Sequence, residues 1–405
     1  MKFTADRVEL KSKLTQVGKA VARGSTLPVL EHVLLRAEDE SLMLRATNLE
    51  TGIQVSMPAA VEEEGACTVP HERLLDWIGA PLTKAMVSLT LTETKAGAPV
   101  SLRVQCGRNY CTLKELFPED EAPTFPVVDG VTAIVDADEL ARAVKGVGWA
   151  TMPEKAGATH FERTGILLDV SVEALTLVAL DGFNLAVYVC PRHGEVAPVL
   201  PVVVNKSAML AVASTLSGEV GISVGKDHVV FRTDDVTLVA TTLMGEFPDY
   251  ETHMARVKGD KVWTMDRAAA IKLVKTVAPF AVHTYGGLVF VHVELSAATK
   301  TFLVEGESPD VGDCIGNIRA WGNQAIRFAV SPTHLKRAIG SIAGDELTFV
   351  LSGPENPLLV KAAESERHRI VMMPVSVTEV ERCPVCERRQ AECVCVDEEV
   401  ADGTD

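Results

Sequence analysis

One pattern recurs in this chain at a fixed interval, and it rules out most architectures. Residues Thr164 to Ala186 read TGILLDVSVEALTLVALDGFNLA, with apolar residues at alternate positions: Ile166 and Leu168, then Leu175, Leu177 and Ala179. Alternation over such short runs marks strands with one buried face, here two strands around an acidic turn. Leu180-Asp181-Gly182-Phe183 closes the segment with an Asp-Gly step that turns the chain. Val33, Leu35, Leu42, Leu44, Ala46 and Asn48 stand 133 positions before Ile166, Leu168, Leu175, Leu177, Ala179 and Asp181. A third copy reads as Leu288 and Phe290, then Phe302, Val304 and Gly306, with Ser308 in the place of the Asp. Phe125-Pro126 and Phe247-Pro248, 122 apart, each close a β-rich stretch. A supersecondary plan used three times implies three similar domains.

A length of 405 residues accommodates three domains of ordinary size, and 47% apolar residues is ample for their cores. The spans expected are 1–128, 129–253 and 254–377, with a Cys-rich acidic tail over 378–405. Each unit opens with a helix: 6–23 (Val8, Leu10, Leu14, Val17, Val21), 136–149 (Leu140, Val144, Val147) and 266–278. A second helix follows in each: 71–79 after Pro70, 205–217 capped by Asn205, and 331–342 opening on Ser331-Pro332. Asp136 with Glu139 reads as a capping box. The fold class is therefore α+β, two helices on an antiparallel sheet, three times over. Such units invite a curved or closed assembly in which strand edges are buried.

The charged N-terminus MKFTADRVELKSK is no secretory signal, and no apolar run approaches the ~20 residues of a membrane helix. Cys67, Cys106, Cys111, Cys190 and Cys314 are scattered like reduced thiols, so the chain reads as cytoplasmic. A net charge of −16 argues at first against nucleic acid. Its distribution points the other way. The six helices sum to +6, leaving −22 for the rest, and the bases on them singled out as contacts to a polyanion are Lys11, Lys13, Lys19, Arg23, Arg142, Lys145, Lys206, Lys272, Lys275, Lys336 and Arg337. A basic helical surface on an acidic protein is the footprint of a polyanion, set against the plainer reading of ordinary surface lysines. No phosphate loop, HExxH or nucleophile motif is present, so the reading is not an enzyme; a catalytic site assembled in space is the alternative.

The order of a helix, LPVLEHVLL, LRATNLETGI, ALDGFNLA, MGEFPDYETH and a closing IVMMPVSV resembles the bacterial β sliding clamp family, the β subunit of DNA polymerase III. The resemblance covers residues 1 to about 377. It implies a head-to-tail homodimer closing a six-domain ring around duplex DNA, gripped through phosphates without sequence preference. It also implies that replicative polymerase, clamp loader and other clamp-binding-motif proteins insert a peptide into a pocket. That pocket would be built by Leu180, Gly182, Phe183, Asn184, Leu185, Pro248, Tyr285, Val371, Met372, Met373, Pro374 and Val375. Family members often carry His-Arg where Phe183-Asn184 stands and Arg where Ser376 stands, so this pocket should be more apolar. A scaffold specialised for repair or phage partners is the alternative role. The ring contact would join Cys111 and Leu113 to Phe280. The family needs no cofactor. The tail, however, adds Cys383, Cys386, Cys393 and Cys395, the right number of thiolates for a closed tetrahedral zinc, against the alternative of an acidic tail with free thiols.

Overall fold

The computed structural model describes residues 1–376 except 82–83, 129, 156–158, 195–198, 282–283, 286–287 and 309–310. It is α+β, with antiparallel pairing throughout its described ladders. By contacts the chain divides into two compact units, Met1–Arg256 with Glu364–Val371, and Val257–Ala363 with the described part of Met372–Asp405.

In the first unit the recurring hairpin appears twice in matching register. Leu35 opposes Leu44 where His32–Glu38 pairs with Ser41–Thr47, and Leu168 opposes Leu177 where Gly165–Val170 pairs with Ala174–Leu180. A third strand extends each: Thr51–Pro58 and Asn184–Pro191. Alternation predicts one buried face, and the structure buries more. Leu167, Val178 and Val187, on the face opposite Leu168 and Leu177, are also enclosed. Thr51–Pro58 pairs with Val236–Leu243, which carries the sheet from the first repeat into the second. Ser365–Met372, from far along the chain, pairs with Asn184–Pro191. A separate five-stranded sheet has the order Ala60–Glu63, Lys2–Asp6, Met86–Glu93, Pro99–Cys106, Asn109–Leu113.

In the second unit the repeat is shifted from its expected position. Phe302 and Val304 are buried as expected, but the strand opposite them is Val291–Ser296, where Val293 faces Val304. Leu288 belongs to a separate two-residue strand and Phe290 is half-buried between the two. The neighbouring apolar run displaced the alignment.

Six helices stand where the spacing predicts: α1 Arg7–Val17, α2 His71–Gly79, α3 Ala137–Val147, α4 Lys206–Thr215, and, after α5, α6 Arg267–Val277 and α7 Pro332–Ser341. The short helix α5, Tyr250–Arg256, buries none of its residues and therefore has no periodic signature. Helix α1 buries Leu10, Leu14 and Val17, whereas Val8 is turned to solvent at 65% exposure. Asn205 and Ser331 cap α4 and α7 as expected. Asp136 accepts from the Glu139 amide, but Glu139 completes no capping box; its carboxylate is taken by Arg142 and Tyr188 instead.

Candidate functional site

The helix faces are built by one device used at intervals of 130 residues. Asp6, Asp136 and Asp266 cap α1, α3 and α6 through the amides of the first turn. The next residue's amide then reaches the residue beyond the unit's second helix: Arg7 N to Ala85 O at 2.7 Å, Ala137 N to Gly218 O at 2.8 Å, Arg267 N to Asp345 O at 2.7 Å. In two repeats this residue is arginine. Arg7 Nη1 donates to Ile78 O at 3.0 Å, in the last turn of α2, and Arg267 Nε to Gly344 O at 2.6 Å, in the loop after α7. Their guanidinium groups serve the fold.

Of the basic residues singled out, Lys11, Arg23, Lys145, Lys272, Lys275, Lys336 and Arg337 are exposed, and Lys13 and Lys206 half-buried. Two depart from the expected role of open phosphate contacts. Lys19 Nζ donates to Ser214 O at 2.9 Å, Ser214 Oγ at 2.8 Å and Thr215 Oγ1 at 3.0 Å, at the C-terminal end of α4. Partial burial there pulls its pKa below the usual lysine value. Arg142 Nε donates to Glu139 Oε2 at 2.9 Å, so its charge is neutralised on its own helix. Glu139 also accepts from Tyr188 Oη at 3.1 Å, and burial beside that carboxylate pushes the Tyr188 phenol up to about 12.

The Asp-Gly turn has the form its sequence demands. Asp181 Oδ1 accepts from Phe183 N at 2.9 Å and Asn184 N at 2.7 Å, and Gly182 has φ +94°. Phe183 is left 50% exposed; Leu180 and Pro248 are half-buried and Met373 is 43% exposed. Four expected pocket residues are enclosed instead. Asn184 turns its amide inward to Asp181 Oδ2 at 2.9 Å, and Leu185, Val371 and Met372 are core. Pro374 and Val375 are half-buried, with Val375 N donating to Ala329 O at 2.9 Å. The side chain of Tyr285 lies outside the described residues. Ser376 Oγ meets Glu355 Oε1 at 3.1 Å.

Cys111 and Leu113 are half-buried on Asn109–Leu113, an edge strand, and Phe280 is half-buried in the turn after α6. Burial raises the Cys111 thiol and pushes those of Cys67 and Cys190 up to about 12, far from nucleophilic. Among the described residues no group of three His, Cys, Asp or Glu could hold a metal; Cys383, Cys386, Cys393 and Cys395 lie outside them.

Antiparallel α+β units that carry paired helices define a clamp type of fold. Residues 1–126 match the family model of the DNA polymerase III beta subunit, N-terminal domain. A beta sliding clamp of Pseudomonas aeruginosa is 28% identical over 386 residues, covering 93% of this chain and 100% of its own. A solved sliding clamp (DNA polymerase III subunit beta) from the same species, bound to griselimycin, superposes with a TM-score of 0.83 at 26% identity, again over 93% and 100%. A Bacillus subtilis clamp at 18% identity and TM-score 0.83 shares the fold. Over 93% of its length the chain is similar to the bacterial β sliding clamps, a family of non-catalytic processivity factors.

Proposed function

We infer that this chain is a DNA sliding clamp, encircling duplex DNA and tethering the replicative polymerase to it. Likeness to β sliding clamps along their entire length carries this reading. Three domains, 1–128, 129–253 and 254–377, would close a ring as a head-to-tail homodimer. Two strand edges support that closure. Asn109–Leu113 pairs on one side only, and over Gly312–Arg319 the strand Gly312–Gly322 pairs only with Thr301–Ser308 among the described residues. An open edge is a template for another chain. Cys111, Leu113 and Phe280 would flank the joint.

Loose contact with phosphates suits a ring that must slide, and the exposed lysines of α1, α6 and α7 supply it. Polymerase, clamp loader and other partners would dock by peptide near Leu180 and Phe183, and the exposed Phe183 favours an apolar partner residue. No helix among the described residues is long and apolar enough to cross a membrane, and the cytoplasm, where the DNA lies, is the proposed site of work. The four tail cysteines would hold one structural zinc per chain, which elemental analysis reads directly.

The test is light scattering coupled to size exclusion, together with retention on circular and linear DNA after loading. A dimer near twice 43.5 kDa, kept on circles and lost from linear DNA, is expected. A monomer retained on neither rejects the reading. Lys11→Gln with Lys13→Gln should flatten the salt dependence of retention by up to about one log unit for each phosphate the variant no longer engages. Arg142→Gln should leave it unchanged, because Glu139 already holds that charge.

A further inference from the structure

Of the five cysteines among the described residues, Cys67, Cys106 and Cys190 are buried, while Cys111 and Cys314 are half-buried. Those two stand on open strand edges, one in each unit. Cys111 lies on Asn109–Leu113, which pairs only with Pro99–Cys106. Cys314 lies within residues 312–319, which pair only with Thr301–Ser308 among the described residues. The faces match as well as the edges. Cys111 opposes buried Val104 and Cys314 opposes buried Gly306, so each thiol is on the core side of its sheet.

The alternate residues point to solvent: Tyr110 is 58% exposed and Ile315 61% exposed. Bare apolar side chains on an unpaired edge invite a second strand to cover them. The apolar pattern then chooses the register. An antiparallel joint that sets Tyr110 opposite Ile315 gives each an apolar neighbour across the strands. The same register sets Cys111 opposite Cys314, one step along and on the core face. A slip of two residues leaves Ile315 opposite Arg108 or Thr112, and a slip of one turns the core face outward. Directly opposed residues have Cβ atoms about 4.5–5.5 Å apart, closer at non-hydrogen-bonded pairs, and a disulfide spans about 3.5–4.5 Å.

We propose that Cys111 of one protomer and Cys314 of the other form an interchain disulfide, a lock that oxidation sets on the ring joint. The lock rests on the reading that two chains close head-to-tail. Its oxidant is a low-molecular-weight disulfide of glutathione type. The Cys314 thiolate attacks one sulfur of it and releases the first glutathione thiolate. The Cys111 thiolate then attacks the mixed disulfide at Cys314 Sγ and releases the second. The protein thiols lose two electrons and two protons, and two reduced glutathiones leave. Burial raises the Cys111 thiol, which makes it the poorer leaving group and slows the reverse attack. A ring bonded at its joints cannot open, so oxidation holds a loaded ring on its DNA and keeps an empty one off it.

The experiment incubates the full chain with oxidised glutathione and separates the products on a non-reducing gel. A covalent dimer near twice 43.5 kDa is expected, returned to monomer by dithiothreitol. Mass mapping of its tryptic peptides should join the Cys111 peptide to the Cys314 peptide. Cys111→Ser and Cys314→Ser should each lose the covalent dimer. The two variants mixed before oxidation should regain it, because their mixed ring keeps one complete pair. Subunit exchange with a tagged copy should stop on oxidation and resume with dithiothreitol. A bond mapped to other cysteines, or a mixture that yields no covalent dimer, overturns the proposal. Light scattering in dithiothreitol separates the two readings. A dimer there without a Cys111–Cys314 bond removes the lock alone, whereas a monomer removes the ring and the lock with it.

Discussion

Two buried histidines, His71 in the first repeat and His368 packed against the second, occupy comparable slots and are treated differently by their surroundings. His71 opens α2 and lies against Gly18, where a Cβ would stand 2.6 Å from the ring. His368 lies on Ser365–Met372 against Gly146 of α3, where a Cβ would stand 3.0 Å from it, with Tyr188 tilted across at 5.2 Å. His71 Nε2 donates to Leu14 O at 2.9 Å, a last-turn carbonyl that also accepts from the Gly18 amide. His368 approaches from the sheet, and neither ring nitrogen makes a hydrogen bond. A flat ring over a helical glycine is a solution of shape. Its polar completion depends on which helix end lies within reach.

Acidification should weaken the His368 site most strongly. Burial pushes the His368 pKa down to about 4, and the Gly146 backbone offsets this only in part. A histidine depressed below its unfolded value of about 6.5 stays neutral when folded, so the unfolded chain takes up the extra proton between those values. Its full contribution to stability is therefore present above pH ~6.5 and is lost as pH falls toward 4, on the order of 3 kcal/mol. Denaturant titrations from neutral pH downward should show this loss, and His368→Phe should remove it. An identical pH slope in the variant would end the argument.

A smaller effect follows from the two glycines. Gly18→Ala drives a methyl into the His71 ring and should cost about 1–3 kcal/mol. Gly146→Ala meets a looser contact and gains helix propensity of about 1 kcal/mol, so its net cost should be smaller. Equal urea midpoints for the two variants would contradict the comparison. The smallest effect belongs to the hairpin turns. Asn48 and Asp181 brace them alike, each accepting two amides, yet the following residue is Leu49 at φ +75° in one and Gly182 in the other. Leu49→Gly should stabilise by about 1 kcal/mol, while Gly182→Leu should cost a similar amount. Thermal melts read both, and destabilisation by Leu49→Gly would show that its exposed side chain does more than occupy a strained position.

Much of the scaffold was legible because short-range chemistry dictates it. Alternation located Leu168 and Leu177, and cap residues located α3, α4 and α7. Asp6, Asp136 and Asp266, spaced by 130, could have marked the helix starts as a set. Helix α5 was missed because nothing in it is buried, and the third hairpin was shifted because Leu288 and Phe290 imitate a strand of the right period. The candidate surfaces were less legible. Lys19 and Arg142 carry the right charge, but only distances reveal that Ser214, Thr215 and Glu139 already engage them. Asn184 and Leu185 look like groove residues in a turn, and the inward hydrogen bond to Asp181 cannot be read from spacing.

The strand Ser365–Met372 also affects how the protein is made. Its partner Asn184–Pro191 leaves the ribosome about 180 residues earlier, which at 5–20 residues per second is roughly ten to forty seconds. Throughout that interval the nascent first unit holds one side of Asn184–Pro191 unpaired. An unfinished edge of this kind is where newly synthesised chains associate with one another. The final turns of translation thus decide whether the unit closes on itself or on a neighbour.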